Sequence, residues 1–208
     1  MPDRTVRDFP LFPLPLVAIP HELVPLHVFE ARYRTMFDEL LESESEFGIV
    51  WSTDGVLRQV GCACEVAEVL ERMEDGRLNV LTRGTRPFRI IERQADRPYP
   101  AATVEFVEDK AEEPSEEIAA AARSAYAELV LQATDTEPDP EELAEKSAYE
   151  MAATVDFGLD AKQGLLDLRS ETARLRLVTR LFRAAVKRLD FVERAQARAR
   201  SNGKVRFG

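Results

Sequence analysis

The sequence predicts an α+β protein in which a compact β barrel or sandwich with one inserted helix is followed by an α-helical bundle. Short apolar segments separated by Pro and Gly turns fill the first half, a spacing typical of small closed β structures. Apolar residues at steps of three and four dominate the second half, which is the helical period. We predict a β-rich subdomain over residues 1–110, a helical bundle over 111–200 and a disordered tail over 201–208.

The first two strands are predicted at residues 9–16 and 23–28, where prolines interrupt apolar residues. Proline lacks a backbone N–H, so we expect both strands at sheet edges and barrel corners. A helix is predicted next, over residues 30–41. Its apolar face consists of Phe29, Tyr33, Met36, Phe37 and Leu40.

Alternating apolar residues predict further strands at 47–52, 58–73, 78–82, 88–92 and 101–107. The alternation slips near Ala67, which indicates a β-bulge. Asp75-Gly76 between apolar segments predicts a hairpin, since both residues tolerate the positive φ of a tight turn. Gly84 is interpreted as a break between two strands.

Three or four helices are predicted in the second half, with starts at Ser115, Asp139, Asp160 and Ser170, because such residues cap helix N-termini. Pro140 after Asp139 supports the second start, and Gly158 is its expected end. The last helix is the longest. Its predicted apolar face is Leu175, Val178, Phe182, Ala185, Leu189 and Val192.

The net charge of −10 over 208 residues hides a strong asymmetry. Residues 101–168 contain 18 acidic and 4 basic side chains, whereas residues 169–208 contain 12 basic and 3 acidic ones. The acidic remainder disfavours a nucleic-acid partner, because it repels phosphates. No apolar run reaches the ~20 residues of a membrane span and no secretory signal begins the chain, so we expect a cytoplasmic protein.

Cys62 and Cys64 are the two cysteines, and their C-x-C spacing does not match the familiar zinc knuckles. Both lie on one face of a predicted strand, so we expect their thiols in the core. His21 and His27 lie on the proline-rich segment without an evident acid or nucleophile partner. We therefore predict no metal and no cofactor.

Several motifs occur in an order that resembles the N-terminal domain of Lon proteases. They are PLFPLPLVAIPHELVPLHVFEARYRTMF, FGIV, DGRLNV, GTRPFRI and DAKQGLL, and the resemblance spans residues 9–189. The family usually has Gly where His21 stands and often Arg where Pro87 stands, so Arg86 is the neighbouring cation in this chain. The resemblance implies a PUA-like β pseudo-barrel followed by a helical bundle.

Catalytic signatures are absent from the sequence. No G-x-x-x-x-G-K-[ST] phosphate loop and no G-x-S-x-G elbow occurs, and no lysine lies in an apolar strand where burial would make it a base. We predict a non-enzyme, a stand-alone Lon-substrate-domain-like protein without ATPase or protease domains. An unrecognised hydrolase is the hypothesis opposed to this one.

The resemblance implies a polypeptide-binding module, with unfolded or tagged polypeptides as partners and an adaptor role beside an ATP-dependent protease. Tyr33, Trp51 and Arg86 are the predicted substrate-binding residues, because Tyr, Trp and Arg are enriched at binding hot spots. The alternative is an RNA-binding PUA-like protein that uses its basic C-terminal helix. The sequence does not assign an oligomeric state.

Overall fold

The computed structural model describes residues 5–202, and the side chains in that range except those of residues 193 and 197–202. Contacts within this part divide it into a β-rich unit, residues 5–111 and 149–170, and a helical unit, residues 112–148 and 171–202. The sequence predicts one boundary, after residue 110, whereas residues 149–170 pack with the strands in the structure. The predicted tail at 201–208 lies outside the described residues after position 202.

Seven strands of the β-rich unit form one sheet. They are β1 (Thr5–Leu14), β2 (Leu23–Val28), β3 (Phe47–Thr53), β4 (Val56–Leu57), β5 (Val60–Arg72), β6 (Leu78–Gln94) and β7 (Ala101–Phe106). The strands pair in the order β1-β7-β6-β5-β3-β4, and β1 also pairs with β3 in parallel. This last pairing closes a five-strand ring, so the predicted pseudo-barrel is confirmed.

β1 carries Pro10 and Pro13 although it pairs on both sides, which differs from the expected edge position. The strand divides its pairing along its length. Its first half pairs with β7 as far as Pro10, and Leu11 to Leu14 pair with β3. Among the described strands, β2, which carries Pro25, pairs with β6 alone and is the edge strand that its proline predicts.

β6 is one continuous strand of 17 residues, so the predicted break at Gly84 is wrong. Gly84 is required there because the turn that contains Ile19 packs directly against its backbone. A Cβ at this position would lie 2.1 Å from the carbonyl oxygen of Ile19. The glycine therefore marks a close backbone approach inside a strand.

The bulge and the hairpin predicted on β5 and β6 are both confirmed. The register between the two strands shifts between Val66 and Glu68, next to the predicted position. Gly76 in the hairpin turn has a φ of 83°, in the left-handed region that glycine adopts without strain.

The ring encloses the core. Buried residues that pack together inside it are Phe9, Leu11, Val50, Ala63, Phe88, Ala102 and Val104. Helix α1 (Ala31–Ser43) buries Tyr33, Met36, Phe37 and Leu40, as predicted. Phe29 is an exception, since it precedes the helix and is 59% exposed.

The remaining helices are α2 (Glu116–Thr134), α3 (Pro140–Ala144), α4 (Ala148–Ala152), α5 (Leu159–Asp167) and α6 (Glu171–Asn202). In the helical unit α2 contacts α6, with the rings of Tyr126 and Phe182 5.3 Å apart. The buried face of α6 continues only to Val186, and the predicted Val192 is 43% exposed.

Two predicted helix boundaries differ in the structure. The helix predicted from Asp139 to Gly158 is two short helices, α3 and α4, in the structure. The N–H of Ala148 donates to the carboxylate of Glu171 at 2.6 Å, so Glu171 caps the N-terminus of α4. Asp139 caps α3, accepting from the N–H of Glu141 at 2.8 Å. α5 begins after Gly158 rather than at Asp160.

Candidate functional site

The three predicted binding residues lie in three different environments of the β-rich unit. The ring of Tyr33 is buried, 4.4 Å from the ring of Phe12, with the Arg32 guanidinium 4.6 Å above it. Burial raises the pKa of Tyr33 above its ordinary value. This ring contributes to the core, so any influence on a ligand would act through packing.

Arg86 lines a groove of about 540 Å³, called here the Arg86 groove. Its guanidinium pairs with the carboxylate of Glu46 at 2.7 Å and lies 3.7 Å from the ring centroid of Phe106. Across the same groove Arg97 pairs with Glu39 at 2.9 Å. Both of these arginines therefore already have carboxylate partners.

Trp51 lines a second groove of about 600 Å³, called here the Trp51 groove. Its walls are residues of β3, β4, the start of β5, the middle of β6 and α5. The lining residues are Trp51, Thr53, Val56, Leu57, Arg58, Gln59, Val60, Arg89, Gln163 and Asp167. The structure therefore does not bring Trp51, Arg86 and Tyr33 into one site.

A tight hairpin positions the outer wall of the Trp51 groove. Asp54 and Gly55, with φ of 51° and 77°, form the turn between β3 and β4, since Asp and Gly tolerate a positive φ. The turn projects Val56, which is 70% exposed, to the rim of the groove. Together with Trp51 and Leu57, Val56 forms the apolar part of the lining.

Arg58 covers one side of the tryptophan. Its backbone N–H donates to the carbonyl oxygen of Trp51 at 3.0 Å, and its guanidinium lies 4.8 Å from the ring centroid. This geometry is a cation–π contact, which holds the ring in place while leaving part of it exposed. Trp51 is thus an ordered, half-buried aromatic anchor.

Gln163 of α5 lies in the wall of the groove and is almost fully buried. Its Nε2 donates to the carbonyl oxygen of Val60 at 3.2 Å and to Oδ1 of Asp167 at 3.0 Å. These two acceptors fix the amide orientation, because the reverse would place oxygen against oxygen. Its Oε1 is left without a hydrogen-bond donor among the described residues.

Arg58 and Arg89 give the groove its charge. Among residues 5–202, neither guanidinium forms an ion pair with a carboxylate, although Glu105 on β7 is the cross-strand neighbour of Arg89. Asp167 is the one acidic residue of the lining, and its Oδ1 accepts from Gln163. The lining therefore carries an excess of positive charge inside a protein of net charge −10.

Of the groove residues, Trp51 was predicted from the sequence, whereas Arg58, Arg89, Gln163 and Asp167 were not. The latter four come from three segments that are distant in sequence, and only the fold brings them together. Arg58 alone carried a local signal, since it lies near Trp51 in the sequence.

The thiols of Cys62 and Cys64 are buried, as predicted. Burial raises the pKa of Cys62 well above its ordinary value, and a hydrogen bond with Cys64 adds to the shift. In the part of the chain that the structure describes, no cluster of three or more His, Cys, Asp or Glu residues could hold a metal ion. No helix over the same residues is both long and apolar enough to cross a membrane.

A closed β ring with an inserted helix, followed by helices, is the architecture of a known family. The model of the ATP-dependent protease La (LON) substrate-binding domain matches residues 8–184 of this chain. The chain therefore belongs to this family, and the matched segment contains every residue that lines the Trp51 groove.

Solved structures support the same fold. A Lon N-terminal domain protein from Xanthomonas campestris is 24% identical with a TM-score of 0.64, over 82% of this chain and 96% of that chain. The N-terminal domain of the Mycobacterium avium complex Lon protease is 22% identical with a TM-score of 0.60, and the match covers 85% of this chain and 98% of that chain. These similarities confirm the predicted fold class.

Proposed function

We propose that this chain is a polypeptide-binding module that holds an extended or unfolded segment of another protein in the Trp51 groove. Membership of the Lon substrate-binding domain family supports polypeptide as the ligand. The observation that carries the choice of site is the half-buried Trp51, fixed by Arg58 in an open groove. Ordered aromatic anchors of this kind dominate the energetics of binding surfaces.

An extended ligand has both apolar and backbone partners at this site. Trp51, Val56 and Leu57 offer an apolar surface for a side chain. β4 is the last strand of the sheet path, and it pairs with β3 through Ser52–Leu57 and Thr53–Val56. Its other edge faces no strand of the described sheet, so a peptide backbone could pair with it.

In this proposal the module performs no chemistry on the polypeptide. It acts as an adaptor that delivers the bound segment to an ATP-dependent protease, the role that the family resemblance implies. Among the three predicted binding residues, Trp51 carries the proposal. A part for Arg86, in its own groove, and for the buried Tyr33 stays a prediction.

Fluorescence anisotropy of a labelled, permanently unfolded polypeptide tests the proposal. We expect saturable binding to the wild-type chain and an affinity about tenfold lower or worse for Trp51→Ala, since truncation of a hot-spot aromatic has at least this effect. Phe29→Ala is the matched control, because Phe29 is also an exposed aromatic but does not line the groove. Absence of binding, or equal losses in both variants, would contradict the proposal.

A second candidate function is RNA binding through α6. Exposed cations form a stripe at steps of four, three and four on this helix: Arg176, Arg180, Arg183 and Lys187. Contacts to phosphates release counterions, so RNA affinity through this stripe must fall steeply as salt rises. If a single-stranded RNA shows no detectable binding to the chain at 50 mM salt, this candidate is excluded.

A further inference from the structure

We infer that the Trp51 groove selects polypeptide segments in which acidic residues lie beside an apolar or aromatic one. The inference rests on the proposed function and adds the chemical class of the bound segment. It follows from two unpaired guanidinium groups, Arg58 and Arg89, that border an apolar surface in one groove.

The exposed arginines of this unit fall into two groups. Some have carboxylate partners, as Arg72 has Asp38 at 3.0 Å and Arg83 has Glu65 at 3.4 Å. Others, such as Arg7, Arg93 and the groove residue Arg58, form no ion pair among the described residues. The chain has 38 acidic and 28 basic side chains, so carboxylates are abundant. Arg58 and Arg89 line one groove and form no ion pair among the described residues, so both guanidinium groups are available to an acidic ligand.

The two arginines differ in burial, and each can contact one carboxylate of a ligand. Arg58 is exposed and lies against Trp51, whereas Arg89 is partly buried and pairs through its backbone with Val60 on β5. A guanidinium presents its N–H donors in a planar fork that matches a carboxylate. Two such groups beside the apolar surface favour a segment in which acidic residues neighbour an apolar side chain.

The apolar part of the ligand is set by Trp51, Val56 and Leu57. A large apolar or aromatic side chain on this surface removes from water the exposed part of the half-buried Trp51 ring and the strongly exposed Val56. A purely acidic ligand would leave this surface in water. The combination of apolar contact with flanking carboxylates uses both features of the groove.

The charge of the whole chain favours a peptide over a nucleic acid at this groove. With a net charge of −10, the chain repels a polyanion in proportion to the number of its phosphates. A short acidic peptide brings only a few charges, and local contact with two arginines then dominates. We therefore commit to an acidic–apolar polypeptide segment as the occupant.

Three labelled peptides of one sequence test the inference. They differ only at the two positions beside a central leucine, which are both Glu, both Gln or both Lys. An exposed ion pair changes affinity by about 1.5- to 5-fold, so two pairs predict roughly tenfold tighter binding of the Glu peptide than of the Gln peptide. The Lys peptide is expected to bind weakest, and the preference should shrink as salt rises.

Matched variants of the chain locate the effect. In Arg58→Gln/Arg89→Gln the ratio of the Glu and Gln peptide affinities should fall to about twofold or less. Arg7→Gln/Arg93→Gln removes the same charge from exposed arginines outside the groove and should keep the preference. Arg58→Lys should also keep it, because the positive charge remains although the planar contact with Trp51 is lost.

The outcomes separate this inference from the proposed function. If none of the three peptides binds, the proposed function itself fails. If the Glu and Gln peptides bind equally, or the Arg7/Arg93 control loses the preference as well, only the inference is overturned. The inference would also be overturned if an RNA oligomer of equal length displaced the Glu peptide at a lower concentration than unlabelled Glu peptide does. The same holds if the labelled peptide is released when the chain concentration is raised, because the groove would then be covered by a second copy of the chain.

Discussion

The backbone N–H of His21 donates to the carbonyl oxygen of Gly84 at 2.8 Å, and this bond fastens a tight turn onto the middle of β6. The N–H of Gly84 in turn donates to the carbonyl oxygen of Glu22 at 2.9 Å. His21 has a φ of 69°, in the left-handed region that favours glycine. The turn is thus held by two backbone bonds and contains a conformational strain.

We predict that His21→Gly stabilises the chain by about 0.5 kcal/mol. Relief of the left-handed backbone contributes about 1–2 kcal/mol, and the greater freedom of glycine in the unfolded chain offsets part of it. Urea denaturation measures the difference. His27→Gly is the control, since His27 lies within β2 and pairs with Asn79 at 2.6 Å, so this variant should lose stability. A loss for His21→Gly would show that its side chain has a structural role.

Gly84→Ala should destabilise the chain by about 3 kcal/mol, because the added Cβ would meet the Ile19 carbonyl oxygen and force the turn away from β6. The control is Gly55→Ala, where φ is positive but no atom lies within 4 Å of the added Cβ. That change should cost only about 1 kcal/mol, from backbone strain. Equal effects of the two substitutions on the urea midpoint would refute the close approach.

The ion pair between Lys162 of α5 and Glu22 of the same turn is nearly buried, with side chains 13% and 15% exposed. We predict that Lys162→Met and Glu22→Gln each destabilise the chain, because each leaves a charge without its partner away from water. The double variant should lose less than the sum, with a coupling of about 1–3 kcal/mol. Strict additivity in this double-mutant cycle would mean that the pair contributes no interaction.

Stability should fall at alkaline pH because of Cys62. Burial keeps the pKa of Cys62 well above its ordinary 9.0 in the folded chain, whereas the unfolded chain releases this proton near that value. Above pH 9 the unfolded state therefore binds fewer protons than the folded state. The free energy of unfolding keeps its full value below pH 9 and decreases as the pH rises above 9, by up to about 1.4 kcal/mol per pH unit. In Cys62→Ala this slope should decrease. An unchanged slope would assign the loss to other groups, such as Tyr33 and Tyr99, whose pKa values are also raised by burial.

Local chemistry accounts for what the sequence predicted correctly. The Asp-Gly hairpin, the slipped alternation near Ala67 and the apolar face of α1 depend on residues a few positions apart. The prediction for Gly84 was wrong because two different roles of glycine have the same local sequence pattern. A glycine can end a strand, or it can lie within a strand where another backbone segment packs closely. The split of the predicted second helix was equally invisible, since it depends on the carboxylate of Glu171, distant in sequence.

The candidate site was only partly predictable for the same reason. Trp51 was identified by residue type, and its neighbour Arg58 lies close in sequence. Arg89 and Gln163 reach the groove only after β6 pairs with β5 and α5 packs on β5. An unpaired cation in a groove is a property of the folded chain, so no periodicity or spacing could reveal it.

The emission of Trp51 tests the central claim most directly, because it is the only tryptophan of the chain. During titration with a labelled unfolded polypeptide, we expect its emission maximum to move to shorter wavelength as the ligand excludes water from the ring. The shift should saturate at the concentration at which the label's anisotropy saturates. Anisotropy that saturates while the Trp51 emission stays unchanged would show that the polypeptide binds elsewhere and would contradict the account.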